Sequence, residues 1–367
     1  MKHIIKKSIA GLAIAFLAQP VFAQQHKTQN LVLVTLDGFR WQEVFRGADS
    51  MLSSSAAFTP DTADIRQKFW AKTAQERRKK LLPFFWETLA SGGQLYGNRD
   101  LGNKEEVANP YRFSYPGYNE LLTGFPDVRV NSNDKVDNPN VNVLEFLNKQ
   151  KGFSGKVAAF SSWDVFPWIL NVKRSGLPVN SGIMDLADNG NAQIALLNTL
   201  QKEMLSPVGD EVRPDVLTFQ LAKQYMISKK PRVTYIAFDE TDDYAHGGQY
   251  GYYLKQAQKE DRMIADLWSY IQSDPFYRDK TTLIVTCDHG RGEQPADAWK
   301  NHGEKVNGAG QTWFAVIGPD TPADGEIKTQ TTVYHKQLAQ TISELLGFDF
   351  SRSAGHETGK AVRTVFK

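Results

Sequence analysis

Short continuous apolar runs alternate along the chain with stretches that carry apolar residues at the i, i+3, i+4 spacing of a helix face. The runs "NLVLVTLDGF" (30–39), "GKVAAFSS" (155–162), "RVTYIAFD" (232–239), "TTLIVTCD" (281–288) and "TWFAVIGP" (312–319) lack polar alternation, as expected of strands buried on both faces. Between and around them, residues 78–93, 250–272 and 335–347 read as helices, the first and last closed by glycine. "YPGYNELLTG" after Ser114 has a helix-like start and another glycine stop. This order predicts an α/β fold in which crossover helices sandwich a large, mostly parallel sheet. Residues 45–80 are less regular and read as a cap or insertion over the sheet. No fixed-period repeat or low-complexity tract interrupts the pattern.

Composition narrows the class. The 367 residues are 41% hydrophobic and 23% charged, which excludes a disordered chain or a coiled coil. Lys and Arg number 43 against 41 Asp and Glu, so no basic field argues for a stable nucleic-acid partner. The single cysteine, Cys287, rules out an intramolecular disulfide and any zinc site built from several thiolates. A metal would have to be held mainly by His, Asp and Glu.

Residues 1–23 have the form of a signal peptide. Lys2, Lys6 and Lys7 precede an uncharged apolar stretch, and Val21-Phe22-Ala23 suits cleavage before Gln24. The stretch is too short to span a bilayer, and no other segment reads as transmembrane. Without those three lysines the net charge moves from +2 to −1. An exported, disulfide-free product fits a bacterial periplasm, with residues 24–367 forming one domain.

Three of the five apolar runs end in aspartate: Asp37, Asp239 and Asp288. Ligands of open α/β sheets sit beyond the carboxyl ends of the strands, so these acids should meet on one rim. Each alone reads more readily as a helix cap than as a ligand. Their neighbours change that reading: Asp288 adjoins His289, Asp242 and His246 stand at chelating i,i+4 spacing, and His302 lies in a glycine-containing loop. A sulfur-free His/carboxylate set suits Zn²⁺, with Mn²⁺ or Fe as alternatives. His335 reads as a cap or surface residue at the start of the last helix.

These pieces, "LVTLDGFRW", "FSYPGYNELLTGFP", "FDETDDYAHGG", "CDHGRG" and "NHGEKVNGAGQTWF", resemble the alkaline phosphatase superfamily on its nucleotide pyrophosphatase/phosphodiesterase side. The resemblance covers nearly all of the chain beyond residue 23 and implies a three-layer α/β/α sandwich with two zinc ions. It implies one metal site of Asp242, His246 and His302. The other would be Asp37, Asp288 and His289, with Ser114 both as ligand and as nucleophile. A hydroxyl is a weak nucleophile near neutral pH, and metal coordination would lower its pKa. Ser114 also opens a helix whose first amides favour an anion.

Two departures refine the expectation. The sulfatase motif C/S-x-P/A-x-R ends here at Tyr118, which argues against sulfatase chemistry. Where related monoesterases carry Lys-x-Arg to clamp a dianion, this chain has Trp163-Asp164-Val165. That favours a small monoanionic diester, a nucleotide among them, with Trp163, Phe166 and Trp168 as candidates to stack on the leaving group. Lys173, Arg174 or Arg291 reaching the phosphate as a replacement clamp would instead favour the monoester. Asn119, Asn131 and Asn133 are candidates to bind a phosphoryl oxygen. A phosphomonoesterase of the same fold is the nearest alternative. A non-catalytic protein with structural metals is the alternative from another class.

Overall fold

In the computed structural model, which describes residues 27–204, 206, 209 and 211–367, eleven strands follow one another along the chain. They are β1 (Asn30–Leu36), β2 (Gln94–Tyr96), β3 (Lys104–Glu106), β4 (Val157–Ser161), β5 (Val179–Ser181), β6 (Val233–Phe238), β7 (Thr281–Thr286), β8 (Gln311–Thr312), β9 (Phe314–Ile317), β10 (Gly325–Glu326) and β11 (Thr332–Tyr334). Eight of them form one sheet in the order β10-β2-β9-β7-β1-β6-β4-β5. Only β9 runs against the others; β7, β1, β6, β4 and β5 are parallel neighbours. A small sheet, β11-β3-β8, lies apart.

The unbroken apolar runs follow from burial on both faces. Val32, Val34 and Leu36 of β1 join a core with Phe219, Leu254 and Ile264 of the helices Asp215–Lys229 and Tyr250–Ser273. Leu31 and Leu33 point the other way, toward Leu121, Leu144 and Ile342 of the helices Ser114–Thr123, Val143–Asn148 and Leu338–Leu345. The chain is thus a three-layer α/β/α sandwich around a mostly parallel sheet, as the sequence pattern implies.

Local chemistry shifts several boundaries. The single helix expected over 78–93 is two pieces: Ala74–Leu81 ends at Leu82 (φ −127, ψ 69), before Pro83. Proline disfavours a helical residue before it, and the chain restarts in a π-turn, Phe85–Leu89. The carboxylate of Asp261 accepts the freed Phe84 and Phe85 amides at 2.9 and 3.1 Å. The expected strand 312–319 splits at Trp313, whose indole donates to the Phe39 carbonyl at 2.7 Å. Residues 45–80 form short helices whose Phe45, Leu52, Ile65, Phe69 and Leu81 share the core of the β1 face. The signal-peptide reading of residues 1–23 lies outside the described residues. Among the described residues no helix is long and apolar enough to cross a membrane.

Candidate active site

β7, β1 and β6 are adjacent in the sheet, so Asp288, Asp37 and Asp239, just past their carboxyl ends, stand side by side on one rim. Asp37 and Asp288 are both buried. The turn after Asp37 needs glycine: Gly38 has φ +57, and a Cβ there would lie 2.3 Å from Asp242 Oδ1. Its amide donates to Asp288 Oδ1 at 3.1 Å. The helix Ser114–Thr123 lies across the Asp288 turn because Gly117 has no Cβ; one would fall 2.3 Å from the Asp288 carbonyl oxygen.

That approach delivers the nucleophile candidate. Ser114 Oγ lies 3.3 Å from His289 Nε2, which is also 3.3 Å from Asp37 Oδ1 and 3.4 Å from Asp288 Oδ2. His289 Nδ1 bonds the Gly290 carbonyl at 2.9 Å, and this turns Nε2 into the cluster. Tyr118, the residue at the place of the sulfatase arginine, donates its hydroxyl to Asp37 Oδ2 at 2.8 Å. Beside this group, His246 Nε2 is 2.8 Å from His302 Nε2 and 3.0 Å from Asp242 Oδ2. Asp242 and His246 come from the helix Glu240–His246, and Thr241 ties that helix to β1 by donating to the Asp37 carbonyl at 2.7 Å. All seven metal-ligand candidates therefore converge, with His289 between the two groups.

The donor set fits two divalent cations. Asp37 Oδ1, Asp288 Oδ2 and His302 Nδ1 are buried and have no hydrogen-bond partner among the described residues. Two imidazole nitrogens facing each other and bare buried carboxylate oxygens are costly without a cation between them. The electrostatics agree. Burial, then the charge of Asp242, raises the Asp37 pKa, and burial with Asp37 raises Asp288 well above the usual range. Burial opposes protonation of His289, but Asp288 and Asp37 outweigh it and push its pKa up to about 9. Burial and His289 push His302 down to about 2. Asp242 is held well below the ordinary carboxylate range: burial opposes this, and Arg291 and His302 overcome it.

A cavity of about 750 Å³ opens beside these groups, lined by Ser114, Asn133, Lys135, Trp163, Asp239 and Asp243 among others. Of the three asparagine candidates only Asn133 reaches it. Its Oδ1 accepts the Tyr115 amide at 3.0 Å, so its amide nitrogen is the end free to donate toward a substrate. Asn119 is buried and committed to the Phe125 carbonyl, Asn138 and Asn140, and Asn131 is exposed outside the cavity lining. Trp163 lines the cavity, whereas Phe166 packs on Tyr118 and Tyr235 in the core.

None of the three replacement clamps lines the cavity. Lys173 pairs with Asp137 and Arg174 with Glu145, while Arg291 is fully buried and bonds Asp242 and the Trp299 carbonyl. Arg291 therefore sits behind the candidate ligand Asp242. Among the described residues the cation that lines the cavity is Lys135, which is not one of the candidates expected from the sequence; it pairs with Asp164 at 2.7 Å. Its position in an irregular loop gave no periodic signal. His335 is buried rather than exposed, 3.0 Å from Glu105 Oε1.

This sheet, with the candidate ligands on its carboxyl rim, defines an alkaline phosphatase-like fold. The fold is shared with an alkaline phosphatase, PafA, at TM-score 0.60 and 10% identity, over 94% of this chain and 99% of that one. It is shared with the phosphonate monoester hydrolase of Agrobacterium radiobacter (TM-score 0.55, 12% identity, 92% and 77% of the two chains). A third is the lipoteichoic acid synthase LtaP from Listeria monocytogenes (TM-score 0.55, 11% identity, 90% and 74%). More specifically, residues 52–307 match the type I phosphodiesterase/nucleotide pyrophosphatase family, and the chain belongs to it. No curated protein sequence matches the chain.

Proposed function

We propose that the chain is a two-zinc phosphoric ester hydrolase that prefers diesters and works through a phosphoseryl intermediate on Ser114. The convergence of Ser114 Oγ, three acids and three histidines on one rim carries the reading. Asp37, Asp288, His289 and Ser114 would hold one ion, and Asp242, His246 and His302 the other. Bound there, such ions supply Lewis-acid charge that lowers the pKa of hydroxyl and water and stabilises the leaving oxygen.

The chain's own residues set the stage for that chemistry. Helix packing at Gly117 fixes Ser114 Oγ beside His289, which brings the nucleophile within reach of a phosphorus seated in the cavity. Asn133 offers its amide N–H to a phosphoryl oxygen while its own carbonyl stays anchored on Tyr115. Ser114 Oγ attacks phosphorus, the alcohol leaves, and water then cleaves the phosphoseryl ester and regenerates the hydroxyl. Trp163 gives the departing group an apolar, stackable wall.

Charge supports the diester preference. Among the described residues, Asp134 and Glu211 line the cavity with Lys135, whose ammonium is itself held by Asp164. A second negative charge on a monoester would find little there to neutralise it. Residues 1–23 are read as an export signal and 24–367 as one domain, which places the enzyme in the periplasm. The test is hydrolysis of p-nitrophenyl phosphate, its bis ester and its sulfate by the purified protein. The bis ester should give the highest kcat/KM. A monoester preference above about tenfold, roughly 1.4 kcal/mol, would contradict the diester reading and make Lys135 the clamp of a phosphomonoesterase.

A further inference from the structure

The helix Glu240–His246 carries two metal-ligand candidates but lacks a cap of its own: Asp239, at its N-cap, makes no side-chain capping bond. The missing acceptor comes from 24 residues upstream. Asp215 Oδ1 accepts the Asp239 amide at 2.9 Å and the Ser162 hydroxyl at 2.5 Å. Its Oδ2 accepts the Glu240 amide at 3.2 Å and the Gln256 amide nitrogen at 3.0 Å. Glu240 returns the bond, its Oε2 accepting the Asp215 amide at 2.7 Å. The two helix starts thus cap each other across the molecule, and the Asp215 side chain is wholly buried. A buried acid, Glu260, adds a further contact to Asp215 and Gln256.

We propose that Asp215 is a positioning residue for the Asp242–His246–His302 metal site, fixing the helix that presents two of its ligands. The inference rests on reading those three side chains as metal ligands. Both Asp215 oxygens face donors only, so asparagine would turn an NH2 group against one donor pair and release one corner of the turn. Ligand supports of this kind set metal affinity by about 10- to 100-fold.

Cobalt(II) titration of the metal-free full-length protein, followed by visible absorption, separates two sites of unlike affinity. Wild type should bind two ions; failure at that step would count against the proposed function before Asp215 is reached. Asp215→Asn should keep one site and weaken the other by at least tenfold, with loss of that site's absorption band. Equal affinities in Asp215→Asn and wild type would overturn the proposal. Should Asp215→Asn not fold, Ser162→Ala, which removes one donor, decides. A smaller loss confined to one site supports the proposal, and an unchanged or evenly weakened pair overturns it.

Discussion

The two halves of the proposed metal site are built from different material. Asp37, Asp288 and His289 sit at the ends of the central strands β1 and β7, each at most 1% exposed. Asp242, His246 and His302 come from a seven-residue helix and a loop, and the His246 side chain is 45% exposed. One half is fixed by the sheet ladder itself, with the Asp37 amide bonded to the Phe238 carbonyl at 3.1 Å. The other depends on borrowed supports: Asp215 on one side, Arg291 behind Asp242, and the Thr241 bond to the Asp37 carbonyl. The contrast implies a tightly held ion beside the nucleophile and a more exchangeable one toward solvent.

The largest expected effect breaks the strand-held half at its reacting atom. Ser114→Ala should cut turnover by several orders of magnitude while leaving metal content and melting temperature near wild type. Steady-state kinetics beside metal analysis checks both. Next, Asp288→Asn and His246→Ala should separate the halves. The first should remove one ion and nearly all activity, because the ion loses a carboxylate ligand beside His289. The second should lower occupancy of the outer ion only, as read by dialysis against a chelator.

Tyr118→Phe is a subtler probe of the strand-held half. It removes the hydroxyl that occupies Asp37 Oδ2 and leaves the buried Oδ1 unaligned. The inner ion should bind about 10- to 100-fold more weakly, with the outer one unaffected. In the cavity wall, Lys135→Ala should reduce monoester hydrolysis more than diester hydrolysis, by about tenfold or less in kcat/KM, since Asp164 already engages that ammonium.

Part of this was legible because one half of the ligand set is tied to strand ends. Asp37 and Asp288 follow continuous apolar runs, so sequence position alone placed them on the rim. Asp242 and His246 were legible through helical spacing. Asn133 was not separable from Asn119, because which side chain faces the cavity is decided by an irregular loop. Arg291 follows His289 by two residues and looked like a substrate clamp, yet it is buried behind Asp242. Lys135 and Asp215 act through contacts with residues far away in the chain, which no local pattern announces.

The smallest effect concerns that loop. Arg129 and Asn140 bond the Asp127 carboxylate, the Arg129 guanidinium first, and hold its pKa down at about 2. Folded Asp127 thus releases its proton more readily than unfolded Asp127. The stabilisation is complete above the unfolded value near 4 and fades as pH falls toward about 2. Asp127→Asn should lower urea resistance modestly near neutral pH and flatten the acid decline, with little change in metal content.

The most direct test of the account is the metal content of active protein. Mature enzyme purified without added metal and assayed on the same sample should hold about two zinc ions per chain. Asp242→Ala should hold about one, retained by the strand-held half. Active protein with no bound transition metal, or an Asp242→Ala protein that still holds two, would contradict it.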